Sequence, residues 1–170
     1  IGGHTSEGGD MSVGFAVTGQ TAKQTVQSVQ SVHDELLLIL TKPIGIGVIM
    51  AAHMQMQAEA SCVDAAITSM RQSNAKAAEI FLQNNVLTAT DVTGFGLARH
   101  AQNLAIRHGK TGCIIDLSKL PLLSGVTRLL TSGIKSSLHE QNRLAVKFCG
   151  RNTENSMGFE ALFDLSLIHI

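Results

Sequence analysis

The 170-residue chain has no tryptophan and no tyrosine, two prolines, three cysteines and only 15% charged residues. Each scarcity removes a class of function. The lack of Trp and Tyr argues against a base-stacking platform for single-stranded nucleic acid. Thirteen Lys+Arg stand against thirteen Asp+Glu, a formal net charge of zero, so nothing draws the chain electrostatically toward a phosphate backbone. Cys62, Cys113 and Cys149 are an odd count without CxxC spacing. That pattern points to reduced, mostly buried thiols in an intracellular, cytoplasmic protein, and away from a disulfide scaffold or a zinc site. No apolar run approaches the ~18 residues of a membrane span; the longest, Leu36–Leu40, has the length of a strand. The chain opens on Ile1 and a glycine-rich polar stretch with no signal-peptide pattern, as expected of a fragment.

What is present is a 44% hydrophobic fraction, enough for a core, and sixteen glycines. A neutral, charge-poor surface calls for a cover, either a partner subunit or a further part of the same polypeptide. Residues 1–10 read as a loop. Val13–Val17 and Leu36–Leu40 read as strands, the second a continuous apolar run closed by Thr41-Lys42-Pro43. Ile44–Gln57 starts with two spaced glycines and becomes an Ala/Met-rich helix. Val63–Gln83 has apolar positions at helical spacing and ends at Asn84-Asn85. Gly94–His108 is a helix with Phe95, Ala98, Ala101, Leu104 and Ala105 on one stripe and Gly109 as its C-cap. Cys113–Leu117 is expected as a strand, Leu122–Thr131 and Glu140–Phe148 as helices, and the remainder as irregular. The expected fold class is therefore α+β, with about four strands and four or five helices.

Three segments could carry chemistry. In Thr90-Asp91-Val92-Thr93-Gly94-Phe95-Gly96 an acidic residue lies between a strand end and a helix start, beside two hydroxyls and two glycines. A carboxylate there suits a divalent cation bridging to phosphate, and the helix start offers N–H groups to an anion. Equally, Asp91 or Thr93 could simply cap the helix. In Gly2-Gly3-His4-Thr5-Ser6 the paired glycines could form an anion nest with added donors, or the stretch could be an ordinary terminus; it fits neither the P-loop nor the dinucleotide fingerprint. Lys42 could reach a phosphate, pair with a carboxylate, or extend to water. Ser73-Asn74 interrupts a helix as a contact, a kink or a lining position. The histidines, among them His53, His100 and His108, do not cluster at metal spacing, and Met50, Met54, Met56 and Met70 read as core filler.

Taken in order, GGHTSEG (2–8), FAVTG (15–19), LLLILTKPIGIGV (36–48), MRQSNAKAAEI (70–80), TDVTGFGL (90–97) and IDLSKLP (115–121) resemble the C-terminal half of the selenophosphate synthetase (selenide, water dikinase) family. The resemblance covers about residues 1–145. It implies the PurM/AIR-synthetase superfamily and an α/β sandwich, a mixed sheet packed with helices. It further implies an enzyme that makes selenophosphate, AMP and phosphate from selenide, ATP and water with Mg²⁺, as a homodimer formed through an N-terminal half. Neither a nucleic acid nor a membrane is implied as partner. By this resemblance Asp91 is a Mg²⁺ ligand and Gly2, Gly3, His4 and Thr5 contact ATP. The family's catalytic Cys or Sec, its nearby Lys and most metal carboxylates fall outside this sequence, so no catalytic residue is assigned, and the isolated chain is expected to be inactive. The AAHMQMQ and SMRQSN wording is similar to forms fused to a flavin-containing NADH dehydrogenase-like module. The family's Asp-Pro-Gln-Thr-Ser-Gly-Gly is not found; Asp164 is followed by Leu165-Ser166-Leu167-Ile168-His169-Ile170. Residues 1–164 are thus expected to be an AIR synthetase-like C-terminal domain and 165–170 a non-native or truncated tail. Two other readings stay open: another enzyme of the superfamily (aminoimidazole ribotide synthetase, hydrogenase-maturation or thiamine-phosphate kinase type), and a non-catalytic binding or assembly domain.

Overall fold

Between Ile44 and Ala52 almost every residue is apolar, and a helix that is hydrophobic all round has to be buried all round. A computed structural model describes residues 18, 36–84, 86, 88–107, 109, 113–146, 157–166 and 168–169, and this helix lies at its centre. Helix α1 (Ile46–Met54) buries Ile46, Val48, Ile49 and Ala52 against α2 (Ala60–Arg71) and α5 (Val126–Thr131). Around it follow α3 (Ala75–Gln83), β1 (Asp91–Val92), α4 (Gly96–Arg107), a 3₁₀ turn at Leu117–Lys119, α6 (His139–Leu144), α7 (Met157–Ala161) and β2 (Ile168–His169). Strand β2 pairs antiparallel with β1, Asp91 opposite His169 and Val92 opposite Ile168. That pairing lies inside the 165–170 segment expected as a tail. A parallel bridge joins Ile44 to Leu122.

The helical expectations hold with shifted limits, except that the single helix over 63–83 is two and that α7 lies in the stretch after Phe148 expected as irregular. It breaks at Gln72–Asn74, where Gln72 is extended and the Ser73 hydroxyl accepts from the Ala75 N–H at 3.1 Å. A serine oxygen that takes a backbone donor competes with the helix ladder. The break also frees the last carbonyls of α2, and Lys42 fills them: its buried ammonium donates to Ser69 O and Gln72 O, each at 3.1 Å. Lys42 thus reaches a helix C-terminus, where a cation is favoured, and burial lowers its pKa.

Several expectations are corrected. Leu36–Leu40 has no strand pairing among the described residues, and Leu37 is 92% exposed. Cys113–Leu117 is likewise not a strand; Ile114 and Cys113 face solvent. Both runs have the composition of buried strands, but a strand needs a neighbour to take its backbone groups, and the sheet pairing among the described residues is that of β1 with β2. Met54 and Met56 are exposed rather than core, because α1 ends there and the chain turns outward with Met56 at positive φ. Phe95 leaves the α4 stripe for the surface and Ala105 is only partly buried, while Ala98, Ala101 and Leu104 are buried as expected; Leu97, outside that stripe, is buried as well. Val13–Val17, His108, Phe148 and Cys149 lie outside the described residues.

The core closes on residues 159–166. Phe159 and Phe163 meet edge-to-face with centroids 5.2 Å apart, and Leu162 and Phe163 are fully buried. Beside them Asp164 is 1% exposed, and its Oδ2 accepts from the Val48 N–H at 3.1 Å in the first turn of α1. Gly47 leaves room for it, since a Cβ there would come within 2.5 Å of Asp164 Oδ1. Burial pushes the Asp164 carboxyl up from 3.8 to about 6, against the opposing bond from Val48. Between those two values the folded protein holds a proton that the unfolded chain has released, so this group's contribution to stability falls as pH rises through that window. Asp164→Asn keeps an acceptor for Val48 and removes the charge. Its stability relative to the parent, measured by urea unfolding at pH 4 and pH 8, should rise by up to ~3 kcal/mol at the higher pH. A pH-independent difference would refute the assignment.

Candidate functional site

Strand alternation decides where Asp91 points. Val92 is completely buried in the core, so its neighbour Asp91 projects to solvent. Its carboxylate has no hydrogen bond or ion pair among the described residues. Immediately after it the chain makes a turn in which several carbonyls and amides are directed to particular partners. The Thr93 N–H donates to His100 Nε2 at 3.3 Å. The Thr93 carbonyl accepts from Gly96 N–H at 3.1 Å and from Ser166 N–H at 3.3 Å. The Gly94 carbonyl accepts from Asn142 Nδ2 at 2.8 Å, and the same amide nitrogen donates to the Phe163 carbonyl at 3.0 Å. One turn into α4, the Ala98 N–H donates to the Leu162 carbonyl at 3.0 Å.

Gly96 is where this turn touches the 162–166 segment. Its φ is +73°, and a Cβ would stand 2.8 Å from the Leu162 carbonyl oxygen and 2.9 Å from the Phe163 carbonyl carbon. Both are backbone atoms, which cannot swing aside as a side chain can. Two separate demands, left-handed backbone and close approach, therefore meet at one residue.

This geometry decides between the two readings of the motif. Neither Asp91 nor the Thr93 hydroxyl caps α4; the helix start is closed by the Thr93 and Leu162 carbonyls. The Gly96 and Ala98 amides are consumed in doing so, which removes two of the donors that the start of α4 could offer an anion. What remains available is the Asp91 carboxylate. His100, half-buried beside it, keeps its Nε2 as an acceptor and so carries its proton on Nδ1. Burial lowers its pKa and the Asp91 charge opposes that. The exposed Phe95 ring lies 6.2 Å from it.

The remaining candidates are placed elsewhere or not at all. Gly2, Gly3, His4 and Thr5 lie outside the described residues. Lys42 is occupied at α2. Asn74 is the N-cap position of α3 and makes no side-chain cap bond. Among the described residues no three His, Cys, Asp or Glu side chains gather as a metal set. Asp91 is a hard oxygen donor of the kind Mg²⁺ takes, and its exposed carboxylate fits one position of an oxygen-ligand shell. Sequence reasoning missed Asn142, which is 48 residues from its Gly94 partner within a short polar helix; no local pattern marks it.

The arrangement is that of a domain presenting one acidic residue from a clamped glycine turn. Residues 33–146 match the family described as AIR synthase related protein, C-terminal domain, and the chain belongs to that family, which carries the PurM-like fold. Among curated proteins it is similar to those named selenide, water dikinase. It is 34% identical over 143 residues to that of Citrifermentans bemidjiense, 36% over 143 residues to that of Geobacter metallireducens, and 37% over 134 residues to that of Porphyromonas gingivalis. These alignments cover 84%, 84% and 78% of this chain and 41%, 41% and 38% of the relatives. The chain therefore spans about two fifths of the length of the curated relatives it matches.

Gly96→Ala should destabilise the protein by ~2 kcal/mol or more, since the strained φ and the backbone clash add. Thermal unfolding checks this. Gly109→Ala, at φ +65° with nothing within 4 Å of the added carbon, should cost only the conformational part, ~1 kcal/mol.

Proposed function

We propose that this chain is the C-terminal part of an enzyme that makes selenophosphate, AMP and phosphate from selenide, ATP and water, with Mg²⁺. The observation that carries the reading is the shared wording with proteins of that name across 84% of the chain, together with a carboxylate left unpaired among the described residues at the centre of the most distinctive motif. In this reading Asp91 supplies one oxygen ligand to Mg²⁺, and Gly2, Gly3, His4 and Thr5 contact ATP. A divalent cation there would neutralise part of the polyphosphate charge. The chain's own contribution is orientation: β1 and the clamped turn hold the Asp91 main chain, so only side-chain freedom is lost when the ligand arrives. The nucleophile and the further carboxylates belong to an N-terminal half, through which the protein forms a homodimer. That half would also complete the mixed sheet of the sandwich and cover the exposed Leu36–Ile39 run.

In the full-length protein, Asp91→Asn should lower selenophosphate formation by ~100-fold or more, as expected when one group that stabilises transition-state charge is removed. Its thermal unfolding should match the parent's, because Asp91 has no partner to lose among the described residues. Unchanged kinetics would remove the metal assignment. The 170-residue chain alone, given ATP, selenide and Mg²⁺, should form no AMP above background.

A further inference from the structure

Asn142 lies on α6, outside every motif the sequence displays, and is 4% exposed. Its amide stands between two carbonyls of different segments, Gly94 in the turn after Asp91 and Phe163 in the core. Two acceptors facing one amide admit a single orientation, with the NH₂ group toward both. Elsewhere in the turn, the Thr93 N–H is engaged by His100 and the Thr93 carbonyl and Gly96 N–H by backbone. Asn142 is the side chain that ties the turn directly to the 162–166 segment.

We infer that Asn142 is the positioning residue for Asp91. This rests on the reading of Asp91 as a metal ligand. Only Val92 and Thr93 separate Asp91 from Gly94. Val92 is anchored in the core, and Thr93 is bonded at both its N–H and its carbonyl. With Gly94 held as well, the main chain on the C-terminal side of Asp91 is fixed at each of the next three residues. Mg²⁺ requires near-ideal octahedral geometry, so a ligand on a loosened turn weakens ion binding before it alters any other step. No replacement of similar size supplies two N–H donors. Aspartate would set a negative charge against two carbonyl oxygens, and leucine would leave both unserved.

The test compares Mn²⁺ binding, by electron paramagnetic resonance with a non-hydrolysable ATP analogue, in the full-length parent protein, Asn142→Asp and Asp91→Asn. Hydrogen exchange of the same proteins is followed at residues 91–97 and in α1. Asn142→Asp should bind Mn²⁺ ~10-fold more weakly, the range seen when the partner that orients a ligand is lost. Its kcat at saturating metal should be retained, and exchange should quicken at 91–97 but not in α1. Should that variant not fold, the smaller Asn142→Ser carries the same comparison. A folded variant with parental Mn²⁺ affinity and parental exchange at 91–97 overturns the role of Asn142. Parental affinity in Asp91→Asn overturns instead the metal reading of Asp91; exchange at 91–97 then still decides whether Asn142 holds it in place.

Discussion

The main chain at Gly96 and the main chain at Leu162–Phe163 lie closer together than any Cβ would allow. The Asp91 side of the protein is organised by that approach. It brings the Ala98 amide onto the Leu162 carbonyl and the Ser166 amide onto the Thr93 carbonyl, and β2 continues it by pairing with β1. Burial supplies the force that holds it. A fully buried Phe or Leu contributes ~2 kcal/mol, and Phe159, Leu162 and Phe163 all enter the core from this one segment. The hydrogen bonds, at ~1 kcal/mol each, contribute less and do something different: they fix the register at which core and turn meet. The segment thus faces three ways, with aromatic rings inward, backbone toward the turn, and Asp164 toward the start of α1.

A second set of polar contacts surrounds this hinge point. His139 is 1% exposed and its Nε2 meets Glu160 Oε2 at 2.6 Å, while Lys135 lies 3.1 Å from both Glu160 and Glu140. Burial drives the His139 pKa down, and the bond to Glu160 only partly offsets it. The imidazole is therefore a neutral donor to Glu160, with its face edge-on to the Phe163 ring at 5.7 Å. Carboxylate, ammonium and imidazole join α6 to α7, and so the helix that carries Asn142 is tied to the helix that precedes Phe163. Isolated exposed ion pairs contribute little. Here the histidine is inside and its partners are half-buried, so the geometry is set by packing as much as by charge.

How legible this was varies with the range of the interaction. The helices were readable because their signal is local: Ala98, Ala101 and Leu104 recur at helical spacing, and Gly109 and Gly133 close α4 and α5 at positive φ. The apolar runs at Leu36–Leu40 and Cys113–Leu117 were not, because strand composition states only that a neighbour is wanted, not which residues provide it. Ser73 was visible as an interruption, while its consequence, carbonyls presented to Lys42 from 27 and 30 residues away, was not. Asp91 stood out through its motif. The choice between cap and free carboxylate depended on Leu162 and Ser166, whose approach leaves no trace in the local pattern. Asn142 was invisible for the same reason.

Leu36, Leu37, Leu38 and Ile39 form a solvent-facing apolar segment with no ladder on either edge among the described residues. Such a segment is a template. Its composition is that of segments that stack into cross-β assemblies, with high apolar content and no charge or proline until Lys42 and Pro43. The identity of whatever strand reaches it first is then a matter of concentration: an intended neighbour tethered nearby is present at millimolar effective levels, whereas another copy is present only at the bulk level. At these four residues a tethered strand and a second copy are competitors, and dilution during refolding favours the tethered strand.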